Sequence, residues 1–270
     1  MNMKHLYERN AKYVKVGSLI GLVVYIAILF VFRDSMWKDY ETHLVLGITL
    51  FIMYSSSFFF QSAADKLPDE QIVDSQYFSA DFPVKELNFQ RDISFIPQSY
   101  LVSGMGERLY KITPSEDHLL IRNLSAFAIF QGGMFFPITY ELKTIDGKLV
   151  SQFTFKNKLK FIQLKVYDHT KTHISTVVMP TVSVKNRAII FDANNEKTHQ
   201  MEAKSMYGDI DVNDSSGKRL ATYRFGIFPY ATHPAFEIQA HNVHVSLSHD
   251  LSHTEKLTFA ALFYSWTGNQ

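Results

Sequence analysis

Two stretches near the front of the chain constrain it more than anything that follows. Val16–Phe32, VGSLIGLVVYIAILFVF, runs 17 residues without a charge. Leu44–Phe60, LVLGITLFIMYSSSFFF, runs 17 more and is extended by QSAA before Asp65. A membrane-spanning helix needs roughly 20 apolar residues, with about 17 as the lower limit. Helices of soluble domains rarely run this far without a polar face. The first stretch is longer than the apolar region of a cleaved signal peptide and has no A-x-A site, and a second stretch follows at once. The connecting RDSMWKDYETH, residues 33–43, is short and polar, and its Trp37 and Tyr40 suit a membrane–water interface. The pattern predicts a transmembrane hairpin with helices at about 16–32 and 44–62.

Lysine and arginine near the ends set the orientation. Lys4, Arg9, Lys12 and Lys15 precede the first span, whereas the connection holds only Arg33 and Lys38 among three acids. The N-terminus is therefore expected in the cytoplasm, and two crossings return the chain there. The expectation is an integral protein of the cell (plasma) membrane with residues 1–64 as stub and anchor. Residues 65–92 read as a polar linker with room for one short strand, and 93–270 as a cytoplasmic domain. Gly17 and Gly21 form a small-xxx-small pair, and Ser55, Ser56 and Ser57 can bond to helix carbonyls or across to the first helix.

From about Ile93 the pattern changes to short alternating runs divided by turn signals. SYLVSG (99–104), ERLYKIT (107–113), PITYELKTI (137–145), KLVSQFTF (148–155), LKFIQLKVYD (159–168), HISTVVM (173–179), SVKNRAIIFD (183–192), HQMEAKSM (199–206), GDIDVND (208–214), RLATYRF (219–225) and AFEIQAH or NVHVSLS (235–248) all read as strands. So many short strands at even spacing predict an antiparallel barrel or sandwich. One phrase occurs twice: TIDGKLVSQFTF at 144–155 and NDSSGKRLATYRF at 213–225. Each reads as a hairpin in which Asp and Gly make the turn, with Asp146-Gly147 the stronger signal.

The last segment, SHTEKLTFAALFYSWTGN, is helical. Ser252 and Glu255 have capping-box spacing, and Gly268 suits a C-cap. The apolar residues between them go nearly all the way round, so the helix must be buried, and it is too short to span a bilayer. A short apolar helix after many strands fits best inside a barrel made of them. The predicted fold is mainly β: a closed antiparallel β-barrel around a buried hydrophobic C-terminal helix, preceded by a two-helix transmembrane hairpin.

The runs YLVSGMGERLYKI, YELKTIDGKLVSQFTF, KVYD, IDVNDSSGKRLATYRF and DLSHTEKLTFAALFYSW together resemble the tubby C-terminal-like superfamily, which includes the phospholipid scramblases and LURP-one-related proteins. The resemblance covers roughly residues 95–268. It implies a closed antiparallel barrel around a central hydrophobic C-terminal helix, and tubby domains are readers of phosphoinositides.

Composition removes several chemistries. The chain has no cysteine, so disulfides, zinc–thiolate sites and cysteine nucleophiles are out. Lys+Arg total 27 against 26 Asp+Glu, which argues against a nucleic-acid partner. No G-x-S-x-G elbow, P-loop, H-E-x-x-H or EF-hand loop is written in the sequence. His169 and His173 are spaced i, i+4, as are His249 and His253. The first pair reads as a loop, the second straddles the start of the last helix, and His241 and His244 would point to opposite faces of a strand. No metal or other cofactor is predicted.

The strongest positive feature is a basic run in KNKLK and beyond it: Lys156, Lys158, Lys160 and Lys165. The even-numbered positions through 160 would share one strand face, and Phe153, Phe155, Leu159 and Phe161 the other. Such a basic tip beside an anionic inner leaflet would bind phospholipid headgroups, each lysine contributing about 1 kcal/mol. The sequence therefore points to a membrane-anchored, non-enzymatic scaffold or sensor whose barrel binds anionic lipid or a membrane-associated protein. A scramblase-like lipid-handling protein and an enzyme with an unrecognised site are the alternatives.

Overall fold

Both apolar runs become helices longer than themselves. In the computed structural model α1 spans Met3–Val31 and α2 spans Tyr40–Asp65. The structure describes residues 3–31, 40–66, 86–92, 94, 96–103, 108–117, 119–125, 131–183, 185–203, 209–214, 216–226 and 242–267. It divides into two compact units, Met1–Gln71 and Ile72–Gln270.

In the first unit the helices lie antiparallel, touching along their length. Tyr7 stacks on Phe60 at 6.4 Å between ring centres, and the Tyr25 hydroxyl lies 2.7 Å from His43 Nδ1. Gly21 is a point of close approach, since a Cβ there would meet Leu50 Cδ2 at 2.8 Å. Gly17 faces open space, so only one glycine of the expected pair serves packing. Ser56 and Ser57 turn their hydroxyls onto the carbonyls of Met53 and Tyr54, within the helix rather than across to α1. The outer faces carry Ile20, Phe30, Phe51 and Phe59, all exposed. At about 1.5 Å per residue the helices are roughly 40 Å long. Both are long and apolar enough to cross a membrane.

The second unit is a meander. Its strands are β1 (Glu86–Asp92), β2 (Gln98–Ser103), β3 (Arg108–Pro114), β4 (Ile138–Thr144), β5 (Leu149–Asn157), β6 (Phe161–Asp168), β7 (His173–Pro180), β8 (Arg187–Asp192), β9 (Lys197–Glu202), β10 (Ile210–Asn213), β11 (Arg219–Gly226) and β12 (Asn242–Leu247). A short helix, α3 (Leu119–Leu124), lies between β3 and β4. All pairings are antiparallel, in the order β10-β11-β12-β1-β2-β3-β4-β5-β6-β7-β8-β9. Strands pair with their sequence neighbours except at β12–β1, where Leu87 sits opposite Val245, and at the unpaired edges β9 and β10. The result is a nearly closed 12-stranded barrel. Because β1 pairs on both sides, Glu86–Asp92 is part of the barrel, and it is a short strand inside the stretch that reads as linker. The strand expected from SVKN starts only at Arg187, because Ser183 folds back to donate to the Lys185 carbonyl. The alternative strand AFEIQAH lies outside the described residues.

Inside the barrel runs α4 (His253–Thr267), with ten consecutive residues, Leu257–Trp266, buried. Tyr264 packs on Phe89 of β1, Tyr140 of β4 and Phe153 of β5. On other sides of the helix, Phe263 and Trp266 meet Tyr223 of β11, and Phe259 meets His199 of β9. The Thr258 hydroxyl is 2.7 Å from Ser175 of β7. One helix can touch so many strands only if it lies within their ring. Its start is the expected capping box: the Ser252 amide donates to Glu255 Oε2 at 2.8 Å, and the Glu255 amide donates to Ser252 Oγ at 3.3 Å. Gly268 lies outside the described residues.

The repeated phrase marks one turn that occurs four times among the described residues. At 144–148, 168–172, 192–196 and 214–218 the first amide donates to the carbonyl four residues on, and the fourth amide donates back to the first carbonyl. The fourth residue has positive φ in each: Gly147, Lys171, Asn195 and Gly217. A side-chain oxygen of the first residue braces each turn. Asp168, Asp192 and Asp214 do so through Oδ1, accepting from the amides of residues 172, 196 and 218. In the first copy Thr144 Oγ1 takes the part, accepting from the Lys148 amide at 3.0 Å. The counterpart of Asp214 is therefore Thr144 and not Asp146, and the turn at Gly147 is longer than a two-residue Asp-Gly hairpin.

Candidate functional site

The four lysines singled out above all lie on the β5–β6 hairpin, but not on one strand face. Phe153 and Phe155 point into the barrel, so Thr154 and Lys156 point out. Lys156 pairs with Gln163 and Thr154 with Lys165, which places Lys165 on the same outer face, diagonal to Lys156. Lys165 lies five strand positions from Lys160, about 17 Å along the sheet. Lys158 and Lys160 are in the turn itself. The structure thus gathers Lys156, Lys158 and Lys160 at the tip and leaves Lys165 up the outer wall. All four are exposed.

The tip departs from the expected alternation. The Leu159 amide donates to Asn157 Oδ1 at 2.9 Å, and the Lys160 amide donates to the Lys158 carbonyl at 2.8 Å. These bonds close a γ-turn with Leu159 at its centre and φ +65°. Leu159 is not on the core face with Phe153 and Phe155: it is 89% exposed, and Phe161 is partly so. The missed signal is Asn157, whose side chain makes an Asx-type turn and stops the strand before the lysine-leucine run ends.

Two neighbouring loops are laced to this tip. The Asn157 amide donates to the Gly133 carbonyl at 3.0 Å, and the Thr181 amide to the Lys160 carbonyl at 3.2 Å. Gly133 has φ +69°, and a Cβ there would lie 2.6 Å from the Phe155 carbonyl oxygen, so only glycine lets this loop approach so closely.

The paired histidines do not gather into a site. His173 Nε2 lies 3.0 Å from Thr176 Oγ1 and its ring meets Tyr167, while His169 is exposed in the adjoining turn. His249 and His253 lie either side of the Ser252 cap, and His241 falls outside the described residues. Among the described residues no three His, Asp or Glu side chains converge as a metal site would need.

An open cleft beside β9, lined in part by Ser175, His199, Glu255 and Thr258, gathers residue types that hydrolases use. Each has a structural task. Ser175 pairs with Thr258, whose hydroxyl bonds the Thr254 carbonyl at 2.8 Å. Glu255 caps α4 with one oxygen and keeps the other 3.8 Å from His199 Nε2. This ties the start of α4 to the barrel wall.

On the outer wall Glu141 is buried beneath the segment after β3. It accepts from Ser115 and Gln152, each at 2.9 Å, and pairs with Lys143 at 2.6 Å. Burial pushes its carboxyl up, but the bonds from Lys143, Ser115 and Gln152 outweigh burial and hold it below the usual glutamate range.

No family model matches the chain, and no curated protein matches it either. A solved structure of a protein from Arabidopsis thaliana is similar over 74% of this chain and 99% of its own, at 9% identity and a TM-score of 0.38.

Proposed function

We propose that this is a membrane-anchored, non-catalytic protein of the tubby C-terminal-like kind, whose cytoplasmic barrel recognises anionic phospholipid through the Lys156–Lys160 hairpin. The observation that carries the reading is that hairpin: three exposed lysines on and beside one tip, in a chain that also has two span-capable helices. The barrel interior is filled by α4, so recognition falls to the outer surface and the rims. Within a Debye length of an anionic leaflet each lysine contributes about 1 kcal/mol, so three together give about a hundredfold in partitioning.

The test is flotation of residues 72–270, the unit with its own core, on neutral and anionic vesicles across a salt series. The parent should float with anionic vesicles at low salt, and Lys156→Ala/Lys158→Ala/Lys160→Ala should lose roughly a hundredfold in partitioning. Equal behaviour of parent and variant would end the lysine reading and turn attention to a protein partner.

A further inference from the structure

We propose that the rim of the barrel bearing the β5–β6 tip is a membrane-inserting surface, with Leu159, Val182 and Met134 entering the boundary between headgroups and acyl chains of an anionic leaflet. The proposal rests on the reading above and deepens it, from a charged surface near lipid to a docked one with a defined orientation.

Three observations converge on this rim. The first is exposure: Leu159 is 89% exposed, Val182 91% and Met134 57%, with Phe161 at 38%. Single exposed apolar side chains are ordinary. Here they come from three separate loops that backbone hydrogen bonds at Gly133–Asn157 and Lys160–Thr181 hold together. A cluster of that kind marks an interaction surface.

The second is conformation. Leu159 sits at the centre of a turn with positive φ, where glycine or asparagine would cost less. Folding alone gives no reason for a bulky apolar residue in water in that conformation. Insertion of the side chain into lipid does.

The third is charge. Residues 131–137, 156–161 and 180–185 contain no acid, and Lys156, Lys158 and Lys160 flank the apolar tip. The opposite rim, made by the four repeated turns, mixes signs, with Asp146, Asp168, Asp192 and Asp214 among Lys148, Lys171 and Lys218. Apolar tips with lysines around them and no carboxylate in their own loops match an anionic bilayer, where apolar groups enter about 5–10 Å and cations stay at the headgroups. They do not match a basic protein surface.

The chain has no cysteine, which makes the test direct. Leu159→Cys, Val182→Cys and Met134→Cys are made singly in the full chain and labelled with an environment-sensitive fluorophore. Asn194→Cys, in a turn of the opposite rim, is the control. Each protein is reconstituted in phosphatidylcholine vesicles with or without phosphatidylserine, and emission and quenching by lipid-borne quenchers are read. Each substitution is also made in residues 72–270, where Trp266, buried in the core, is the one tryptophan and verifies folding. The expected result, with phosphatidylserine, is blue-shifted emission and quenching severalfold above the control at 159, 182 and 134. Labels at 159 and 182 that quench no more than the control would overturn the proposal. Strong quenching that is the same without phosphatidylserine supports insertion and removes the anionic reading. Salt-sensitive flotation of the barrel without quenching keeps the anionic reading and removes insertion.

Discussion

Replacing Gly217 by alanine isolates one physical term. Gly217 has φ +85°, and a Cβ added there meets nothing within 4 Å, so the substitution creates no clash. What remains is the left-handed backbone, which costs a residue with a Cβ about 1–2 kcal/mol. Against that stands about 0.4–1 kcal/mol gained because alanine has less freedom in the unfolded chain. The net is a loss of about 1 kcal/mol, or roughly 2–4 °C in Tm for a unit of this size. The same turn at 168–172 allows the reverse experiment. Lys171 has φ +65°, so Lys171→Gly should gain up to about 1 kcal/mol. Some of that is offset by loss of its exposed ion pair with Asp117 at 3.6 Å, and Asp117→Ala measures the offset. Asn195→Gly should gain less, because asparagine tolerates this conformation. The assay is chemical unfolding of residues 72–270 followed by Trp266 fluorescence. In that fragment Trp266 is the only tryptophan, since the other of the two is Trp37. Gly217→Ala and Lys171→Gly moving in the same direction, or a Gly217→Ala variant as stable as the parent, would refute the assignment of one shared turn.

Gly133→Ala should be at least twice as damaging as Gly217→Ala, about 2–3 kcal/mol, because its Cβ also strikes the Phe155 carbonyl; the same unfolding curves measure it. Phe263→Ala empties the middle of α4 and should cost about 3–5 kcal/mol, a large part of an ordinary domain's stability, seen as a collapse of the unfolding midpoint. His244 is held below the usual histidine range by burial, and Arg224 adds to this while Glu86 opposes it. A depressed histidine takes up its proton more readily in the unfolded chain. Stability is therefore full above the ordinary histidine value and falls as pH drops through that value towards the folded one, and His244→Gln should flatten this part of the pH–stability curve. Glu141, also depressed, adds a separate loss at lower pH, below the ordinary glutamate range, that Glu141→Gln should abolish.

The elements that were legible share a reason: their signal is local and periodic. Uncharged runs long enough to span a bilayer, alternation in β4–β7, and an apolar-all-round segment opened by Ser252 and Glu255 each declare themselves within a dozen or so residues. From the last of these even the barrel followed, because a helix without a polar face has to be enclosed. The candidate site was legible only as a cluster of lysines. Alternation assigned Leu159 to the core face, and only the Asn157-braced turn, a choice between extending the strand and folding it back, put it in solvent.

The sequence alone therefore determined two long apolar helices, a strand-rich domain and a buried C-terminal helix, since burial of side chains follows from their own pattern. Tertiary structure decided what depends on residues far apart in the chain. It closed β1 onto β12, which brings Glu86–Asp92 into the barrel. It matched Thr144 with Asp214 through shared hydrogen bonds that the lettering of the two phrases misaligns. It also brought Met134, Leu159 and Val182 to one rim, through backbone bonds between loops that no local periodicity encodes.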